Sequence, residues 1–186
     1  MSRVFEQSLF HGTIASIERI DVSRGRARKD FGRGFYMAMS PQQAIGMMHK
    51  KYREAIRRSR DAARCEFVER LYKVQLKPTS EAALNVKVFK TADLEWLEFI
   101  LQCRESELVH PHEYDVVVGP TADDDTLVSL QNYWKGVYGP VGSRVAKEAL
   151  LSALEPENLG IQCCLCSTKS ESAVATFVPV NWRMYV

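Results

Sequence analysis

Asp30-Phe31-Gly32-Arg33-Gly34-Phe35-Tyr36-Met37-Ala38-Met39-Ser40-Pro41-Gln42-Gln43-Ala44 is the stretch whose reading decides the fold. Gly32 and Gly34 bracket the entry to a short apolar strand over residues 34–39. Ser40-Pro41 reads as an N-cap followed by a first-turn proline, so a helix begins at once. Tyr36 is thereby set inside a rigid strand, beside glycines that let a flat ligand approach the backbone closely. Upstream, Phe10-His11-Gly12-Thr13 belongs to a first strand within residues 4–13.

Working outward, Ile45, Met48, Tyr52 and Ile56 recur at helical spacing with basic residues between them. This predicts one amphipathic helix from Ser40 to about Cys65, weakened in its first turns by Gly46. Residues 70–78 and 84–90 read as strands. Thr91 or Asp93 caps a helix carrying Leu94, Trp96, Leu97, Ile100 and Leu101. The valine run in residues 114–119, ended by Gly119-Pro120, is too short and too β-branched for a helix. Helices are expected over 126–137 and, capped by Ser143, over 143–154. A turn-rich loop at 155–160 then leads to a strand around Cys163 and a last strand at 175–180. With no repeat, linker or low-complexity tract, the expectation is one α+β domain spanning residues 1–186.

An apolar share of 46% supports a sizeable core. No basic start followed by an apolar run opens the chain, and no segment approaches the ~18 apolar residues of a membrane span. A soluble, cytoplasmic protein with no membrane partner is expected. The five cysteines stand at irregular positions. Cys163 and Cys164 are adjacent and point to opposite strand faces, so they and Cys166 do not converge on one ion. They read as small hydrophobes in a reducing compartment. His110-Pro111-His112 lacks a second cluster at ligand spacing and reads as a solvated loop, so no metal is expected. Glu95 and Glu98 share a helical face that reads as solvated. Net charge is +2, yet 12 of the 25 Lys and Arg residues fall between Arg24 and Arg64, whereas ten carboxylates face one Arg104 between Asp93 and Asp125. The basic flank suits an anionic partner or a solvated helix face.

The His11-Gly12-Thr13 and Gly34–Ala38 segments resemble the diphtheria-toxin-like ADP-ribosyltransferases, above all the poly(ADP-ribose) polymerase type. Those enzymes carry a strand ending in His-Gly-Ser/Thr, then Gly-x-Gly-Ile-Tyr-Phe-Ala and a helix. The chain is also similar to an uncharacterised bacterial family of that fold. The counterparts of that family's pattern are His11-Gly12, residues 30–36, Glu95-Trp96-Leu97-Glu98-Phe99, residues 114–120, Ala122–Asp124 and residues 162–167. The resemblance implies an ADP-ribosyltransferase-like split antiparallel sheet with flanking helices, and NAD⁺ as a substrate. It assigns NAD⁺ contacts to His11, Gly12 and Thr13 and to Asp30, Phe31, Gly34, Phe35 and Tyr36. His11 is implied to bond the adenosine ribose, the Gly12 backbone the nicotinamide carboxamide, and Tyr36 to stack on the nicotinamide ring. The polymerase type has a second stacking tyrosine early in the following helix, where this chain reads Ala44-Ile45-Gly46-Met47.

In such enzymes a glutamate on the late strand favours the oxocarbenium-like transition state as nicotinamide leaves. Here that strand offers Gln162, which holds a ribose hydroxyl without charge. Glu157, with Glu155, in the preceding loop is the substitute acid; Asp30 is either close to the pocket or a cap on the Phe31–Gly34 turn. The resemblance implies an NAD⁺-dependent mono-ADP-ribosyltransferase, a bacterial toxin of a toxin–antitoxin or phage-defence pair, with a nucleic-acid or protein acceptor and an antitoxin as partner. The alternative is a catalytically inactive NAD⁺- or ADP-ribose-binding or protein-interaction module.

Overall fold

A computed structural model describes residues 3–59, 67–122, 124–155 and 159–186. Seven strands form one sheet: β1 (Leu9–Thr13), β2 (Phe35–Ala38), β3 (Arg70–Leu76), β4 (Val86–Val88), β5 (Val116–Pro120), β6 (Ile161–Leu165) and β7 (Val174–Val180). Their order is β4-β5-β6-β2-β1-β3-β7. With α1 (Pro41–Arg58), α2 (Leu94–Glu105), α3 (Asp124–Trp134), α4 (Arg144–Ala153) and the single turn α5 (Thr168–Glu171), the architecture is mixed, of the α+β kind.

The sheet departs from a purely antiparallel one in the β4–β5 pair, which is parallel. It is continuous in hydrogen bonding, but its two halves meet weakly. β1 runs against β3 over its whole length and β2 against β6 over its whole length, whereas β1 and β2 share one bridge, Phe10 opposite Ala38. A gap opens where Gly12 and Tyr36 would otherwise pair, and α1 lies over it.

Local chemistry sets the element ends. Ser40 accepts a hydrogen bond from the Gln43 N–H with Pro41 in the first turn of α1, and α1 ends at Arg58 with the Ser59 N–H bonded to the Ala55 and Ile56 carbonyls. The expected extension of this helix falls on residues 60–66, outside the described residues, as does Cys65. Between Thr91 and Asp93, it is Asp93 that caps α2, accepting from the Trp96 N–H at 3.0 Å. Ser143 caps α4.

Alternation along β6 divides the core. Cys163 and Leu165 pack with Phe35, Met37, Val116 and Val118 on one face. Cys164 packs on the other with Phe31, Val117 and the buried faces of α2, α3 and α4, among them Trp96, Ile100, Leu130 and Leu150. The adjacent cysteines thus serve separate cores. A third cluster seats Ala44, Ile45 and Met48 of α1 on Phe10, Ala38 and Leu71. Gly12 permits that seating, because a Cβ there would overlap the Ala44 carbonyl oxygen. Among the described residues no helix is long and apolar enough to cross a membrane.

Candidate functional site

A cavity of about 930 Å³ opens between α1 and the β1–β2 gap, lined by His11, Gly12, Tyr36, Ala38, Gln162 and Thr121 from the sheet side and by α1 from Gln43 to Arg57. Three strands that are distant in sequence therefore bring His11, Tyr36 and Gln162 to one place. The register puts His11 and Tyr36 on opposite faces, since their neighbours Phe10 and Ala38 share one. The gap lets both line the same space. The His11 ring stacks on Phe35 at 4.5 Å and reaches across the gap to the Tyr36 carbonyl.

That reach fixes the chemistry of the imidazole. A carbonyl only accepts, so Nδ1 carries the proton and donates at 2.6 Å. Burial, and next the Lys51 charge, lower the His11 pKa to about 4. His11 is thus neutral near pH 7, and its Nε2 is an acceptor. Tyr36 offers no acid–base function: its hydroxyl donates to the Gly32 carbonyl at 2.7 Å and accepts from the Phe31 N–H at 3.0 Å. Burial holds its pKa well above the usual tyrosine value. Tyr36 lines the cavity with its hydroxyl end locked to the turn before β2 and its ring stacked on Phe31 at 6.3 Å.

Gln162 is oriented by a carboxylate. Its Nε2 donates at 2.8 Å to Oδ2 of Asp30, which also accepts from the Ala122 N–H at 2.9 Å. The other oxygen of Asp30 takes Nε and Nη2 of Arg104 at 3.0 and 2.5 Å. With its nitrogen committed, Gln162 turns an amide oxygen to its remaining surroundings, so it also acts as an acceptor. Asp30 is neither a cavity-lining residue nor a cap of the Phe31–Gly34 turn. It is a buried ion-pair hub standing behind Gln162.

The other sequence-selected residues lie elsewhere. Phe31 is fully buried in the core shared with Trp96. Phe35 faces the opposite core and supports His11. The Thr13 hydroxyl accepts from the Ala15 N–H in the turn after β1. Gly32 adopts φ of 74°, and Gly34 leaves room for Cys164 and the Leu165 carbonyl, which a Cβ would overlap. The motif glycines thus serve the protein's own close packing; the sequence expectation that they admit a flat ligand is corrected. Glu157 lies outside the described residues. Glu155, just after α4 with φ of 47°, does not line the cavity. Nor is His112 in a solvated loop: its Nε2 meets the Phe31 carbonyl at 3.0 Å and its ring lies against Phe99 and Tyr114. The Glu95 and Glu98 pair is split between Lys87 and Lys147.

Sequence reasoning missed Lys51 as an individual. Its ammonium donates to the Gly12 carbonyl at 2.9 Å inside the cavity. Burial, followed by the charges of Lys29 and Arg26, lowers its pKa to about 8. The only signal was its place in a basic helix, one turn after Met47. Gly46 was noted as a helix weakness; it also lines the cavity, and a Cβ there would meet no atom within 4 Å. No carboxylate lines the cavity among the described residues, whereas Lys50, Lys51, Arg53 and Arg57 do.

No curated protein and no solved structure matches this chain. A family model described as "Protein of unknown function (DUF3990)" matches residues 7–175, nearly the whole chain, and the protein belongs to that family.

Proposed function

We propose that this protein is an NAD⁺-dependent mono-ADP-ribosyltransferase, with a split-sheet fold of the diphtheria-toxin/poly(ADP-ribose) polymerase type, acting as a bacterial toxin in a toxin–antitoxin or phage-defence pair. The observation that carries this is the convergence of His11, Gly12, Tyr36 and Gln162 on one cavity of about 930 Å³, a volume suited to a small-molecule ligand. The groups present the chemistry that NAD⁺ needs. His11 Nε2 and the Gln162 amide oxygen are acceptors for ribose hydroxyls, and the Tyr36 ring is a platform for the flat, cationic nicotinamide ring. Gly12 offers its backbone to the carboxamide; its carbonyl already holds Lys51 but has a second lone pair.

Gln162 carries no charge, but Asp30 stands one hydrogen bond behind it. The carboxylate polarises the amide so that its oxygen is more negative, which favours positive charge developing on the ribose as nicotinamide leaves. Such a site does not deprotonate a neutral sugar hydroxyl, so polymer synthesis is disfavoured. An acceptor that is already nucleophilic, a phosphate end or a carboxylate, fits better, and the arginines along α1 suit a nucleic acid.

A second reading is favoured by one observation, the lack of a lining carboxylate among the described residues: a catalytically inactive module that binds NAD⁺ or ADP-ribose. Incubating purified protein with NAD⁺ and measuring both binding and nicotinamide release separates the two. Release that Tyr36→Ala and His11→Ala abolish supports the transferase; binding without release supports the module. Lack of NAD⁺ binding overturns both.

A further inference from the structure

The apolar stripe of α1 outruns the core that seats it. Ile45 and Met48 are buried with Phe10, Ala38 and Leu71. The same stripe continues as Tyr52 and Ile56, which are half-buried yet join none of the three core clusters; both line the cavity instead. Among the described residues no other aromatic ring lies against Tyr52. A tyrosine and an isoleucine four residues apart share one helix face, and here that apolar face is left open toward the cavity. Next to them on the helix, Arg53 and Arg57 repeat the four-residue spacing, line the same cavity and are exposed. Glu54, the one carboxylate of α1, is met by Arg58 at 3.8 Å, and among the described residues no carboxylate pairs with Arg53 or Arg57.

A row of permanent cations beside a row holding an aromatic ring and an aliphatic side chain fits one kind of partner best. A single-stranded nucleic acid brings phosphates for the arginines and unpaired bases whose faces stack on a ring. A duplex brings the same phosphates but keeps its base faces within its own stack. An acidic peptide answers the charge and leaves the apolar row unused. Arginine also suits phosphate better than lysine does, because its fork takes two oxygens at once. Four residues of helix set Arg53 and Arg57 about 6 Å apart along the axis, and Tyr52 directly precedes Arg53, so one short stretch of strand reaches all three. We propose that Tyr52, Arg53, Ile56 and Arg57 form a docking surface for single-stranded nucleic acid, with one base on the Tyr52 ring and neighbouring phosphates on the two arginines. The proposal rests on the transferase reading for its purpose, since it names the acceptor class and where that acceptor docks, but the contact itself requires no NAD⁺.

The test measures binding of a short fluorescein-labelled DNA oligonucleotide of mixed sequence to the full chain by anisotropy, as a single strand and annealed to its complement. Wild-type protein is expected to bind the single strand about tenfold or more tightly than the duplex, as for the stacking of one base. Tyr52→Ala removes that preference and Tyr52→Phe keeps it, both read below their melting temperatures. Arg53→Ser combined with Arg57→Ser weakens single-strand binding by about tenfold or more. The same pair lowers the slope of log affinity against log salt by about 1.4, two phosphates at about 0.7 each. Lys90→Ser combined with Lys135→Ser removes two exposed charges outside the cavity lining and leaves binding unchanged. Equal binding of strand and duplex overturns the surface, as does a loss in the two-lysine variant as large as in the two-arginine one, since either would mean diffuse charge. Failure to bind the strand, with a polyglutamate peptide bound through the arginines instead, overturns it in favour of a protein acceptor. Full displacement of the strand by NAD⁺ also overturns it, because Tyr52 and the arginines would then belong to the dinucleotide. The transferase reading fails separately: Tyr52-dependent strand binding by a protein that neither binds NAD⁺ nor releases nicotinamide keeps the surface and removes that reading. Nicotinamide release by a protein that binds no single strand does the reverse.

Discussion

On the Asp30 side of Gln162 the carboxylate is met by paired donors, and on the cavity side the sheet presents acceptors and α1 presents cations, with no lining carboxylate among the described residues. Behind Gln162, Asp30 gathers Arg104, the Ala122 N–H and the Gln162 amide, with Phe31 and Trp96 packed nearby at full burial. In front, His11 offers a lone pair, Lys51 two N–H donors, and Gly46 a stretch of helix with open space beside it. Residues of one short motif are divided between these environments. Those that resemble ligand-binding residues but face inward are structural, and those left facing the gap are the ones able to meet a ligand. Substitutions on the two sides differ in kind as well as in size.

The largest expected effect is on the packed side. Asp30→Asn keeps the shape but leaves the Arg104 guanidinium, itself largely buried, without its carboxylate. Breaking a buried pair from one end costs about 3–5 kcal/mol, because the remaining charge is uncompensated. The urea midpoint should fall accordingly. A loss under about 1 kcal/mol would mean that water reaches Arg104 and that the hub is not buried in solution.

The next effect follows from His11 and depends on pH. Its folded-state pKa, about 4, lies below the ordinary value of 6.5, so the unfolded chain binds the proton more tightly. The stabilisation is therefore complete above pH 6.5, declines as pH falls toward 4, and is gone below that. The full difference is about 3 kcal/mol. Compared with His11→Gln, which has no titrating ring, wild-type protein should lose that much more stability between pH 7 and pH 4. Parallel curves would show that the ring is solvated, and the gap between β1 and β2 would have to be open to water at His11.

Gly12 tests whether the cavity wall is seated as tightly as the core. A Cβ at this position overlaps the Ala44 carbonyl oxygen and approaches Met48. Gly12→Ala should push α1 from β1 at a cost of about 1–3 kcal/mol. A neutral outcome in thermal denaturation would show that α1 moves freely over the sheet.

Much of this could be seen in the chain before its structure, and the part that could not has a physical reason. Ser40, Asp93 and Ser143 cap the helices that their local sequence announces, and the periods of Ile45–Met48 and of Trp96–Ile100 mark the faces that are buried. Those signals are local, within one or two turns. The Asp30 hub is made with Arg104, 74 residues on, and Gln162, 132 residues on, and nothing near Asp30 distinguishes a hub from a turn cap. Lys51 was equally hidden, because it stands among basic neighbours that read together as one flank, suited to an anionic partner or a solvated helix face, with nothing to single it out. The cavity residues His11 and Tyr36 were visible only through family resemblance, and the burial of Phe31 and Phe35 on opposite sides depends on register that the motif does not contain.

Gln162→Glu turns the comparison on a single residue. From sequence alone, glutamate at 162 looks like the restoration of a catalytic acid. In the structure it sets a carboxylate where the Gln162 nitrogen now meets Asp30 at 2.8 Å. Two carboxylates sharing one site raise the pKa of one of them, so the variant is favoured when protonated and loses stability as pH rises through the carboxylate range. A loss on the order of 1–2 kcal/mol at pH 7 relative to pH 4.5, beyond that of wild type, is expected, with no gain in nicotinamide release. A variant as stable as wild type at pH 7 would mean that Arg104 neutralises both carboxylates.

The smallest effect has the opposite sign. Glycine inside a helix costs up to about 1 kcal/mol relative to alanine, through the conformational freedom lost on folding. At Gly46 nothing in the protein's own packing offsets that cost, since an added Cβ meets no atom within 4 Å. Gly46→Ala should therefore stabilise the chain by up to about 1 kcal/mol, seen as a small rise in melting temperature, where Gly12→Ala on the neighbouring strand lowers it. On the proposed NAD⁺ reading, the space beside Gly46 is room for the ligand. Gly46→Leu should accordingly fold at least as well as wild type while weakening NAD⁺ binding, because its side chain takes up cavity space beside Met47. If Gly46→Leu destabilises the protein, the space is filled by the chain's own movements in solution. If it is stable and binds NAD⁺ as tightly as wild type, the ligand lies along another part of α1, toward Arg53 and Arg57.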